Sequence, residues 1–206
     1  MGRLFAVIAL LFAFTISPFA APDWSAVVKQ VEKSVVFIEI GSEGSCTGFV
    51  IDATRHYVMT AAHCQPSDHS SLWVDRVAAR VVSLDSKKDL MVVEVKDIDP
   101  SLPALVLARK NPERGQDVMS CGFGMGLERA FFRQAHVQDD QTSVPETGQA
   151  GTFVSLDSAF VGGQSGGPVV NAAGEVVMIV QRASNTVGIG VGADVIRERM
   201  GRFFGK

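Results

Sequence analysis

The 206-residue chain has no cluster of lysine and arginine and a formal charge of only −3, so no nucleic-acid or other acidic-polymer partner is expected. It shows no strict internal repeat and no low-complexity tract, which argues against solenoid and disordered architectures. The apolar stretch at 4–16 is short for a membrane span, which needs about 20 residues. Cysteine is scarce: Cys46, Cys64 and Cys121 are the whole complement. They fit an oxidising compartment in which two pair and the third is buried. Cys121, in an apolar, glycine-rich segment, is expected to pack as a small hydrophobe.

What is present points to a folded, β-rich domain. Apolar residues make up 47% of the chain, enough for a sizeable core. Glycine is abundant, at 20 residues, and valines gather in short runs, a pairing that favours strands joined by tight turns. Arg3, the apolar core at 4–16 and the small residues Ala20 and Ala21 describe a secretory signal peptide over 1–21. Pro18 and Phe19 make the cleavage site irregular, and an uncleaved membrane anchor is the alternative. Either way the domain at 22–206 is expected to be exported, to a periplasm or out of the cell.

Residues 24–33 carry Trp24, Val27, Val28 and Val31 at helical spacing behind Asp23, a suitable N-cap. Strand patterns follow at 35–40, 48–52, 57–60, 71–74, 78–84, 91–95 and 104–107. After a connection at 111–115, a second set falls at 117–121, 131–137, 152–156, 168–171, 176–181 and 188–191. The polar stretch 139–151, with Pro145, reads as an exposed loop. Val195, Ile196, Met200, Phe203 and Phe204 share one face of a terminal helix over 194–204. The expected fold is all-β: two six-stranded antiparallel barrels, at about 34–110 and 115–192, with a short helix at each end.

Three segments carry chemistry. In Thr60-Ala61-Ala62-His63-Cys64 a histidine follows a strand among small residues, which leave an imidazole room to face a cleft. A structural histidine, or a zinc ligand grouped with Cys64 and His69, are the other readings of that segment. In Gly162-Gly163-Gln164-Ser165-Gly166-Gly167-Pro168 the glycines permit left-handed backbone angles and close approach. There the N–H groups of Gly163 and Ser165 can converge as an oxyanion hole while the Ser165 hydroxyl attacks, unless the segment is an ordinary glycine-rich hairpin. Asp89 stands just before an apolar strand, where its carboxylate can orient an imidazole; Asp85 is the alternative acid.

Together, the TAAHC run at 60–64 and GGQSGGPVV at 162–170, in the order His, Asp, Ser, resemble the chymotrypsin/trypsin-like serine peptidases. Within that family the nearer likeness is to the bacterial HtrA/Deg-type branch, through 48–51, 115–118 and 188–191. The resemblance implies a double barrel with His63 as general base, Asp89 as its orienter and Ser165 as nucleophile. It also implies a disulfide between Cys46 and Cys64, since secreted members pair a cysteine beside the histidine with one on the preceding strand. The chain ends at Lys206, so the PDZ domain common in that branch is not expected. Gln164 stands where digestive-type members carry an aspartate that receives a newly cut N-terminus, so that activation switch is not expected either.

The segment Gly163-Gln164-Ser165-Gly166-Gly167 also fits the nucleophile elbow of α/β-hydrolases, whose histidine follows the serine. Here His56, His63, His69 and His136 all precede Ser165, which argues against that fold. The remaining rival is an inactive or tightly regulated binding module of the same fold. By the resemblance, the primary pocket involves the run 156–161, with Ala159 and Val161, and the strand ends at 181–183 and 188–191, with Gln181, Arg182, Ala183 and Gly190. Ala159 at its base offers no partner for a basic side chain, so a small or medium aliphatic residue is expected before the scissile bond. Arg182 could instead recruit acidic groups, unless Asp157 neutralises it. The partner is then a protein or peptide substrate, with membrane contact only through an uncleaved leader, and neither cofactor nor metal is called for.

Overall fold

The computed structural model describes residues 22–67, 71–144, 149–183 and 186–205. The leader at 1–21 and His69 lie outside the described residues. Helix α1 (Trp24–Val31) is capped by Asp23, whose Oδ1 accepts from the Ser25 N–H at 3.1 Å, and it tightens into a 3-10 turn at Glu32–Ser34. That turn takes up the end of the expected 24–33 helix.

Twelve strands follow, in two closed antiparallel barrels. The first contains β1 (Val35–Ile40), β2 (Gly44–Asp52), β3 (Tyr57–Thr60), β4 (Leu72–Val74), β5 (Val77–Asp85) and β6 (Leu90–Glu94), in the order β1-β2-β3-β6-β5-β4. The second contains β7 (Asp117–Gly122), β8 (Phe131–Val144), β9 (Gln149–Leu156), β10 (Pro168–Val170), β11 (Val176–Ala183) and β12 (Gly188–Gly192), in the order β10-β11-β12-β9-β8-β7. Helix α2 (Ala193–Met200) and a 3-10 turn at Gly201–Phe203 close the described chain.

Side chains alternate across a strand, so one strand can serve two cores at once. In β2, Val50 fills the first barrel's interior while Phe49 and Ile51 join the larger core shared with the second barrel. In β6, Met91 and Val93 point inward, and Leu90 and Val92 outward into that shared core. Burial on both faces explains why these strands read as unbroken apolar runs. It also presses the two barrels together, which is what positions a site between them.

Two expectations are corrected. Residues 104–107 form no strand: Leu105 donates its N–H to Val50 O at 2.9 Å, and Ala108 donates to Val176 O at 2.9 Å. Leu107 makes one isolated bridge to Val176. The segment is a strap with one foot on each barrel, and its buried Leu105 and Leu107 around exposed Val106 imitate a strand's alternation. Residues 139–151 do not form a loop throughout. β8 continues to Val144 and pairs with β9 through Thr142↔Phe153 and Val144↔Gln149. Its polarity reflects a solvated hairpin, with Thr142 Oγ1 bonded to Ser155 Oγ at 2.9 Å.

Candidate active site

β3 ends at Thr60, and the chain turns into the 3-10 segment Ala62–Cys64 that presents His63. The β3–β6 register pairs Thr60 with Met91, which brings Asp89, one residue ahead of β6, beside that turn. Asp89 has a left-handed backbone, φ +56°, a conformation aspartate tolerates better than most residues. Its carboxylate grips His63 twice. Oδ1 accepts the His63 backbone N–H at 2.8 Å, and Oδ2 lies 2.7 Å from Nδ1. An ionised carboxylate only accepts, so Nδ1 carries the proton of this bond, which in a neutral ring leaves the lone pair on Nε2. The Asp89 side chain is 14% exposed and that of His63 47%, so the acid is sheltered while the imidazole faces outward. The alternative acid is committed elsewhere: Asp85 Oδ2 accepts from Arg199 Nε at 2.6 Å.

Ser165 lies in the turn before β10. The turn is pinned on the second barrel by Gly166 N–H to Val180 O at 2.8 Å and Val180 N–H to Gly167 O at 2.9 Å. On the first barrel, Thr47 N–H donates to Ser165 O at 2.8 Å, and Cys64 Sγ lies 3.8 Å from that same oxygen. The barrels meet so closely here that a Cβ on Gly166 would fall 2.1 Å from Thr60 Oγ1, and Gly166 is also left-handed, φ +81°. Only glycine fits that position. Gly163, φ +96°, turns the chain just before. Gln164, Gly166 and Gly167 donate their N–H groups to backbone carbonyls, whereas among the described residues those of Gly163 and Ser165 have no acceptor. Two neighbouring unpaired N–H groups are an anion-receptive pair.

The structure joins Cys46, on β2, to Cys64 by a disulfide, next to His63. Ligand atoms of Cys46, His63 and Cys64 lie within 4.8 Å of one another, but bridged sulfurs are not the thiolates that zinc requires. Cys121 is free and buried, and burial pushes its thiol far above the usual range.

Of the expected pocket residues, Gly190 stands opposite Val180 in the β11–β12 pairing and Ala183 opposite Gly188. Gln181 is the bulged residue between them and is buried; Arg182 is exposed. The Ala159 carbonyl accepts from Arg133 Nη1 at 2.8 Å. The Val161 N–H donates to Gln164 Oε1 at 2.9 Å, and its methyl lies against Gly124. Phe160, within the expected run 156–161, is a buried ring packed against Gly188. Asp157 does not pair with Arg182. It grips His136 in the manner of Asp89, through the backbone N–H at 2.7 Å and Nδ1 at 2.8 Å. The other ring nitrogen of His136 faces Asp117 Oδ1 at 3.1 Å, so carboxylates hold both nitrogens of this ring. The hydrogen bond it donates to Asp157, then the charges of Asp157 and Asp117, hold the His136 imidazole above its usual range.

Residues 46–179 match the family described as Trypsin-like peptidase domain. Serine protease HTRA4 of Homo sapiens is 26% identical over 201 residues, covering 87% of this chain and 41% of that protein. Serine protease Do-like HtrA of Lactobacillus helveticus is 30% identical over 148 residues, covering 69% of this chain and 36% of that protein. The crystal structure of the Rv3671c protease from M. tuberculosis, active form, superposes with a TM-score of 0.72 at 26% identity, covering 95% of this chain and 93% of that one. The chain spans 18% and 41% of the length of the first two curated relatives it matches.

Proposed function

The chain belongs to the trypsin-like peptidase family, as an HtrA-type domain, and we propose that it hydrolyses peptide bonds through an acyl-enzyme at Ser165. His63 Nε2 takes the Ser165 proton as the hydroxyl oxygen attacks the scissile carbonyl, then passes it to the leaving amine. Asp89 holds the required tautomer and stabilises the imidazolium. The carbonyl oxygen, now negative, is received by the Gly163 and Ser165 N–H groups. Water repeats the sequence on the ester and frees the enzyme. The two-pronged grip of Asp89 on His63, together with the Ser165 turn, whose Gly163 and Ser165 N–H groups have no acceptor among the described residues, carries this reading.

The substrate is an extended peptide laid on β11. β10 covers that strand only from Val176 to Ile179, so among the described residues 181–183 has β12 on one side and no strand on the other. Strand addition there supplies affinity with little sequence information. The Phe160 ring against Gly188 and the absence of an acid at Ala159 favour a small or medium aliphatic residue before the scissile bond. Export, with the Cys46–Cys64 disulfide formed, completes the reading.

A fluorophosphonate probe should label the unmodified chain and leave Ser165→Ala unlabelled. Equal labelling of both, or of neither, would leave the inactive binding module as the better account. Cleavage profiling of a peptide library should return aliphatic residues before the cut, and a preference for arginine would overturn the pocket assignment.

A further inference from the structure

Thr47, on β2 of the first barrel, is fully buried, and every polar group it has reaches towards the site. Its N–H holds the Ser165 carbonyl at 2.8 Å, and its carbonyl accepts the Thr60 hydroxyl at 2.8 Å, just before the histidine turn. Its own hydroxyl accepts the Phe123 N–H at 2.9 Å and lies 2.8 Å from the Gly163 carbonyl. The Phe123 carbonyl, at 3.4 Å, is the more distant acceptor. A hydroxyl has one proton to give, so Phe123 N–H donates into Thr47 and Thr47 donates into Gly163. The side chain fills a slot against Gly122 and Gly167, where added Cβ atoms would come within 2.8 Å of Oγ1 and 3.2 Å of Cγ2.

That hydroxyl fixes the peptide plane between Gly163 and Gln164. The plane before it is fixed from the other side, by Met125 N–H donating to the Gly162 carbonyl at 2.9 Å. The Gly163 N–H belongs to that earlier plane, and clamping the later one as well stops the pair from turning about the Gly163 Cα that joins them. A glycine has no side chain to resist rotation, so external hydrogen bonds must do it. We propose that Thr47 is a positioning residue for the oxyanion hole: by clamping the Gly163 carbonyl, its hydroxyl, carried on one barrel, keeps the Gly163 N–H on the other from turning away. The inference rests on Ser165 being the nucleophile and deepens that reading.

The test compares Thr47→Val, which keeps the shape and deletes the hydroxyl, with Thr47→Ser, which keeps the hydroxyl. Turnover of one peptide substrate is measured per site titrated with fluorophosphonate, below the melting temperature of each variant. Thr47→Val should lose on the order of 10- to 100-fold in kcat with KM and the pH profile unchanged, as misalignment of a transition-state donor requires. Thr47→Ser should restore most of it. Equal kcat for Thr47→Val and the unmodified chain would overturn the inference and leave the peptidase reading standing. So would a Thr47→Ser variant as slow as Thr47→Val. Thr47→Ala is the second hydroxyl-less variant, and if neither it nor Thr47→Val folds, the hydroxyl is a structural tie and the inference fails. An unmodified chain that neither labels nor cleaves would remove the peptidase reading itself.

Discussion

At the scale of single residues, two histidine–aspartate pairs share one grip, and their surroundings divide their work. Among the described residues His63 is paired with one carboxylate, Asp89, whereas His136 meets a second at Asp117. Replacing Asp89 by asparagine should let the His63 tautomer invert and lower kcat by about 10⁴-fold with little change in melting temperature. Asp85→Asn, which disturbs the contacts with Arg199 and with the Lys88 N–H, should leave kcat near that of the unmodified chain. Steady-state kinetics on both variants decides between the two acids, and the reverse result would reassign the site. Cys121 belongs to the same scale. Buried and with its thiol pushed upward, it should resist iodoacetamide in the native protein and react once the chain is unfolded. Ser165 and His63 were legible because their neighbours are chemically constrained, glycine around one and small residues before the other. Thr47 was not, since one threonine in a strand carries no pattern and its hydroxyl bond spans 116 positions of sequence.

Elements show a different mixture. Strands with one or two buried faces announced themselves by periodicity, and register then delivered Asp89 to His63 through Thr60↔Met91. Periodicity failed where two structures share a pattern, as in the strap at 104–108, and where polarity was taken for a loop, as in the β8–β9 hairpin. That hairpin has a pH-dependent tie, because His136 on β8 faces Asp117 on β7 and Asp157 just beyond β9. His136 is raised above 6.5, so its contribution to stability is complete below that value and is lost as pH rises through the folded value. Asp157 is lowered below 3.8, first by the His136 backbone N–H, so its contribution is present above 3.8 and is lost as pH falls through its folded value. Raising pH from about 6 to about 9 should therefore lower the melting temperature more for the unmodified chain than for His136→Gln. Parallel melting curves would show that the cluster contributes nothing. The Cys46–Cys64 bridge ties β2 to the histidine turn across 18 positions, and replacing both cysteines by serine should cost about 3 kcal/mol, read from urea unfolding.

The whole molecule places its machinery on both barrels and laces them together. The strap donates one backbone bond to Val50 on the first barrel and exchanges two with Val176 on the second, and α1 reaches the second through Gln30 Nε2 to Ala173 O at 3.4 Å. At the other end, the tail that leaves the second barrel is drawn back to the first. Arg55 donates to the carbonyls of Arg202, Phe203 and Phe204 at 3.1, 3.0 and 3.0 Å while its Nε holds Asp52 at 2.6 Å. Arg55→Ala strips partners from these carbonyls and from a nearly buried carboxylate, and should destabilise by about 1–3 kcal/mol in chemical denaturation. None of this lacing was legible in sequence, because each tie joins residues whose proximity exists only after both barrels close. Its consequence is thermal. Neither barrel can lose its structure and leave the other with its strap, tail and shared core intact. Differential scanning calorimetry should therefore record a single transition, its calorimetric enthalpy equal to the van't Hoff value, with catalytic competence vanishing along that same curve.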